Sequence, residues 1–134
     1  MAQVEKERYG FSVGSEHTYE EAIARVKETL KEQGFGILSE IDVSKTLKEK
    51  LGVNFEPYVI LGACNPQFAH DALSAEEQLG LLLPCNVTVR RKNNMTLISA
   101  IDAATMMSVV ENESLSRVAE EVNSRLKTAI ANAA

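Results

Sequence analysis

The 134-residue chain reads as an α+β domain, with a single sheet of about five strands packed with two main helices and several short ones. Three observations carry that reading. Segments of period-two hydrophobicity are interleaved with segments of helical period. A hairpin near residues 85–101 turns at Asn93-Asn94, a pair that accepts positive φ. The last third of the chain carries one long apolar stripe at helical spacing.

Taken in order, Tyr9, Phe11 and Val13 alternate with Gly10 and Ser12 as in a half-buried strand. Thr18 and Glu21 form a capping box, in which each side chain satisfies a free backbone N–H. Tyr19, Ala22, Ile23, Val26 and Leu30 then share one helical face, and Gly34 supplies the left-handed cap. A second strand spans Phe35 to Val43, with Phe35, Ile37, Ile41 and Val43 expected on one face and Glu40 and Asp42 on the other. A short basic helix from about Ser44 to Leu51 stops at Gly52. Tyr58 to Cys64 is nearly all apolar and suits a central strand.

Asn65-Pro66 then starts a helix, because asparagine caps well and proline tolerates the first helical position. Phe68, Ala69, Ala72 and Leu73 form its apolar face. Ser74 and Glu77 offer a second capping box for a short turn carrying Leu79. A strand begins at or just after Pro84, with Cys85, Val87 and Val89 on one face, and Thr96 to Ile101 returns as its partner. Asp102 caps a short helix holding Met106, Met107 and Val110. Leu115, Val118, Ala119, Val122, Leu126 and Ala129 trace the final amphipathic stripe.

Composition narrows the function classes. Hydrophobic residues are 45% and charged residues 25%, as in ordinary globular proteins. Residues 1–134 contain no repeat or linker, so they read as one domain. The net charge of -5 argues against a nucleic-acid footprint, and Arg90, Arg91 and Lys92 form the only compact basic patch. Met1 to Arg8 lack an apolar signal core, and no stretch approaches the ~20 apolar residues of a membrane span. Two cysteines make no disulfide scaffold, so a cytoplasmic protein is expected.

Candidate chemistry concentrates at two cysteines beside prolines, Cys64-Asn65-Pro66 and Leu83-Pro84-Cys85. Cys64 ends a buried strand just before a helix N-terminus, which can lower a thiol pKa or attract an anion. Free cysteines more often behave as small buried apolar residues. Cys64, His70 and Cys85 could supply three metal ligands if the chain folds back, although their spacing matches no standard zinc pattern and His70 reads as a surface residue. Glu40 and Asp42 share a strand face, yet alternating surface charge and helix capping explain them equally well. Lys45, Lys48 and Lys50 read as a solvated face, and Met106-Met107 as core filling. There is no Gly-rich phosphate loop or nucleophile elbow, no Trp, and no aromatic platform for stacking bases.

Three segments together resemble one family: Gly34-Phe35-Gly36-Ile37-Leu38-Ser39-Glu40-Ile41-Asp42, Val59 to Pro66 ending Cys64-Asn65-Pro66, and Gly80 to Val89 containing Leu81-Leu82-Leu83-Pro84-Cys85. The family is the uncharacterised domain of unknown function 302. The resemblance implies a compact α+β fold, a dimer, and no established activity. Its signature positions fall on Asp42, Cys64, Asn65, Pro66, Pro84 and Cys85. Many relatives carry arginine after the second cysteine, where this chain has Asn86, which weakens an anion clamp there.

Two functional readings follow. The first is a dimeric cytoplasmic binding or interaction module, holding a small-molecule or anionic ligand near Asp42, Cys64, Asn65, Pro66 and Cys85. The second is a thiol-dependent redox or metal-binding protein using Cys64 and Cys85. Nucleic-acid binding through Arg90-Arg91-Lys92 ranks last.

Overall fold

A computed structural model describes residues 3–134. The fold is α+β, with one antiparallel sheet of six strands: β1 (Glu5–Lys6), β2 (Gly10–Ser15), β3 (Gly36–Asp42), β4 (Tyr58–Cys64), β5 (Cys85–Lys92) and β6 (Met95–Ile101). Their spatial order is β1-β2-β6-β5-β4-β3, and every neighbouring pair is antiparallel. The sixth strand, β1, is two residues long and has no hydrophobic alternation, so it has no signature in the sequence.

The helices are α1 (Tyr19–Glu32), α2 (Val43–Leu51), α3 (Pro66–Ala75), α4 (Ala103–Ser108) and α5 (Ser116–Ala133). The two long ones, α1 and α5, lie against each other and against the central strands. The core forms where Ala22, Val26 and Leu30 of α1 and Val122, Leu126 and Ile130 of α5 meet Phe11, Val13, Leu61, Val87, Val89 and Ile98 of the sheet. All of these are buried, and side chains of this size contribute roughly 1.5–3 kcal/mol each. Polar contacts lock the helix pair. Thr29 Oγ1 donates to the Ala129 carbonyl at 2.8 Å, and Arg25 Nε donates to the Ala133 carbonyl at 2.9 Å. The second bond sets a cation at the negative end of the α5 dipole.

Several element ends follow the local chemistry. Thr18 Oγ1 accepts the Glu21 N–H at 3.1 Å, but only half of the capping box forms because Glu21 pairs with His17. At the other end of α1, Gly34 takes φ 86°, the Gly34 N–H reaches the Lys31 carbonyl and the Phe35 N–H reaches that of Leu30. That is a Schellman stop, and Leu30 and Phe35 are both buried beside it. Asn93 and Asn94 have φ 51° and 63°, as a two-residue type I′ hairpin requires.

Three expectations are corrected. Tyr9 precedes β2 and is 67% exposed, so the alternation begins only at Gly10. In β3 the register shifts between Ile37 and Ser39, and this bulge at Leu38 reverses the side-chain alternation. Ile37, Glu40 and Asp42 therefore pair with Ala63, Leu61 and Val59 on the helix side, whereas Ile41 pairs with Ile60 on the opposite face. As the edge strand, β3 buries none of its residues completely. Ser74 does not open a new turn; it sits inside α3, where its Oγ donates to the His70 carbonyl at 2.7 Å.

On the face opposite the helices, Ser12, Thr88, Leu97, Ser99 and Ile101 are only partly buried and Ile41 is 48% exposed. Among the described residues, no helix is long and apolar enough to cross a membrane.

A candidate ligand cavity beside the two cysteines

Three local signals build the walls of one cavity. The β4 strand ends at Cys64, and Asn65 starts α3 by accepting the Phe68 N–H at 3.3 Å on its side-chain oxygen. Pro66 then occupies the first turn of α3. That turn directs Phe68, Ala69, Ala72 and Leu73 back over the sheet end. From the opposite side, Leu83 and Pro84 lead into Cys85 at the start of β5. Ala63 pairs with Cys85 across the strands, which brings both cysteines to the same end of the sheet. Met107 of α4 with Val118 and Val122 of α5 close the third side.

The cavity, open to solvent on one side, has a volume of about 280 Å³, and its lining is almost wholly hydrocarbon and sulfur. That is near the lower end of ordinary small-ligand sites, roughly 300 Å³. Leu38, Leu73 and Gly80 are exposed members of the lining and mark where the cavity meets solvent. The bulge that corrects the β3 register is what turns Leu38 into this rim. Close packing at the neighbouring strand also depends on a glycine. A Cβ on Gly62 would collide with Ser39 Oγ and lie 2.8 Å from Pro84 Cγ.

Both cysteines are free and both line this cavity. Cys85 is buried, and burial, with a smaller contribution from nearby Cys64, pushes its thiol pKa up to about 11. Cys85 is therefore a neutral, apolar group near neutral pH, the reverse of an activated thiolate. His70 does not join the pair; it is exposed on α3 and absent from the cavity wall. Among the described residues, no three His, Cys, Asp or Glu side chains gather where they could hold a metal ion.

Of the residues expected at the site, Cys64, Asn65 and Cys85 line the cavity, while Pro66 serves as the first helical residue behind it. Asp42 lies elsewhere. Its carboxylate accepts the Lys45 N–H at 2.9 Å and the Ser44 hydroxyl at 2.8 Å, capping α2. The backbone bond from Lys45, followed by the Ser44 hydroxyl, lowers its pKa. Asp42 and Glu40 do act on a neighbour: burial first, then Asp42, Glu20 and Glu40, raise the Tyr19 phenol to about 12. Asn86 is exposed on the opposite sheet face, paired across from Gly62.

Sequence reasoning missed Phe35, Leu38, Met107 and Val118 as cavity residues, whereas Leu83 belongs to the Leu83-Pro84-Cys85 segment expected there. Each reads locally as ordinary core or loop, and only their convergence leaves a space.

Comparison with known proteins places the chain. Residues 11–133 match the family model described as domain of unknown function DUF302. A search of curated proteins finds no match. Among solved structures, the chain is similar to the uncharacterised conserved DUF302 protein from Bacillus stearothermophilus. The two share 30% identity and superpose with a TM-score of 0.90, over 96% of this chain and 100% of that one.

Proposed function

The chain belongs to the DUF302 family, a domain of unknown function, and from that premise we propose that it is a binding module that takes a small, largely apolar molecule into the cavity beside Cys64 and Cys85. One observation carries the reading: among the depressions on the described residues, this one of about 280 Å³ has walls almost wholly of hydrocarbon and sulfur, whereas a larger one of about 410 Å³ beside α4 and α5 is lined largely by polar side chains such as Glu111, Asn112 and Glu120. A solvent-facing concavity of this apolar kind is stabilised when a hydrocarbon ligand takes its surface out of water. A purely anionic ligand fits poorly, since the walls offer no buried cation. The test is titration with 1-decanol, followed by NMR of the methyl groups of Met107, Val118 and Val122. Saturable shifts centred on those methyls are expected. Shifts that never saturate, or that spread evenly over the molecule, would refute the reading.

The proposed module is a homodimer, joined through the sheet face opposite the helices. Ile41, Ile60, Leu97 and Ile101 give that face apolar area beside the neutral hydroxyls of Ser12, Thr88 and Ser99. Glu7 and Arg90 line one shallow depression on it, so a twofold contact can pair each carboxylate with the partner copy's guanidinium. Sedimentation equilibrium at micromolar concentration should give twice the 14.7 kDa chain mass, reduced to one chain by Ile60→Asp. A monomeric wild-type protein would rule this out. Two unpaired thiols accord with a reducing, cytoplasmic setting.

Thiol-dependent chemistry is the second reading, favoured by the shared cavity but opposed by the neutral Cys85. Rapid labelling of Cys85 in the native protein near neutral pH would reverse that ranking.

A further inference from the structure

The cavity's polar rim is confined to one corner. Asn65 accepts the Phe68 N–H with its Oδ1, and among the described residues its Nδ2 donates to no group of the chain. Arg125, on α5, lies just outside the lining, with its guanidinium carbon 5.2 Å from the centre of the Phe68 ring that lines the cavity. Both donors approach Gly34: a Cβ there would lie 2.8 Å from Asn65 Nδ2 and 3.7 Å from Arg125 Nη1. Glycine at that position thus stops α1 and also makes room for the Asn65 amide.

Arg125 is held in position without being used up. Its Nη1 donates to the Gln33 carbonyl at 3.1 Å and its Nε to Glu121 Oε1 at 3.1 Å, which leaves Nη2 without a partner among the described residues. One N–H donor in the lining, on Asn65, and a cationic one beside it against Phe68, on Arg125, therefore flank an otherwise apolar space.

Building on the cavity reading above, we infer that the ligand is an amphipathic monocarboxylate. Its hydrocarbon part lies among Phe68, Leu73, Met107, Val118 and Val122, and its carboxylate meets Arg125 Nη2 and Asn65 Nδ2. The charge balance selects this class. One guanidinium already shared with Glu121 suits a single negative charge, and the carboxylate's two oxygens can take one donor each. A dianionic phosphate would meet the same lone cation with Glu121 close by.

The test is calorimetric titration of sodium decanoate and of 1-decanol into the wild type and three variants, at low and at moderate salt. Decanoate should bind wild type about tenfold more tightly than decanol at low salt, and salt should weaken only decanoate. Arg125→Gln should weaken decanoate roughly tenfold and leave decanol unchanged, which also shows that the variant is folded. Arg125→Lys should recover part of the loss. Glu121→Gln, at a half-exposed position, should tighten decanoate about twofold. If decanol binds the wild type but decanoate binds no better, or Arg125→Gln weakens both equally, the carboxylate assignment is overturned and the cavity reading stands. If neither compound binds wild type, the cavity reading fails and this inference fails with it.

Discussion

Two regions at the same end of the sheet handle burial in opposite ways. Asp102, just after β6, is 5% exposed yet fully engaged. It accepts from the Ala104 and Thr105 N–H groups at 2.9 and 3.2 Å, from Asn123 Nδ2 at 2.8 Å and from the Thr105 hydroxyl at 3.1 Å, and pairs with Lys6 at 3.1 Å. The cavity, walled five residues further along by Met107, is bounded almost wholly by hydrocarbon and sulfur, with Asn65 its one polar side chain apart from the two cysteines. A charge must be satisfied inside the fold, so its surroundings become rigid and complete. Hydrocarbon carries no such demand, and space can persist beside it for another molecule. The α4 helix joins the two: Asp102 caps its start and Met107 walls the cavity from its end.

The largest effect should come from breaking the polar side. Asp102→Ala strands several partly buried donors, the Ala104 and Thr105 N–H groups and the Asn123 amide among them, and should cost about 3 kcal/mol in urea unfolding. The carboxyl's titration sharpens the point. Burial would raise its pKa, but the bonds from Asn123, the Thr105 backbone, Lys6 and the Thr105 hydroxyl outweigh that and hold it at about 2. Its folded pKa is lowered, so its contribution is present above the ordinary 3.8 and is lost as pH falls from there towards about 2. Asp102→Asn should flatten that acid limb.

Next come two matched enlargements. Ala129 is fully buried where α5 meets α1, and Ala129→Leu should cost about 1–3 kcal/mol through overpacking. Ala72 is equally buried but faces the cavity, so Ala72→Leu should stay within about 1 kcal/mol of wild type while abolishing decanol binding. Equal losses for the two would mean that the cavity is not real space. A smaller effect belongs to Cys85. With its pKa raised, the stability it lends is intact below its ordinary 9.0 and declines as pH rises from there towards about 11. Cys85→Ser should remove that alkaline dependence in thermal unfolding. Smallest of all, Thr18→Ala should cost ~1 kcal/mol, from a single helix cap.

Wherever one segment contains both its signal and its response, the sequence is legible. The β5–β6 hairpin turns at Asn93-Asn94, α1 stops at Gly34, and α3 and α4 start at Asn65 and Asp102, each within a few residues of the cause. Part of the site was legible for the same reason, since Cys64 and Asn65 sit at a strand–helix junction. The β3 faces were misread because a bulge depends on what the partner strand offers, not on the alternation of β3 itself. Ser74 was misread because its hydroxyl has a carbonyl within reach one turn back, and bonding there extends α3 through the point where a cap was expected. Arg125 left no local trace, being one charged residue on the polar side of an amphipathic helix.

From the sequence by itself come the elements, most of their ends, the α+β class and the family likeness, because backbone capping, turn chemistry and hydrophobic period all act over a few residues. Tertiary structure alone decided that Phe35, Phe68, Cys85, Met107 and Val122 surround a space, and that Gly34 and Arg125 meet the Asn65 side chain at its border. A cavity is the volume left between elements after they pack, so it belongs to no segment and has no period to read.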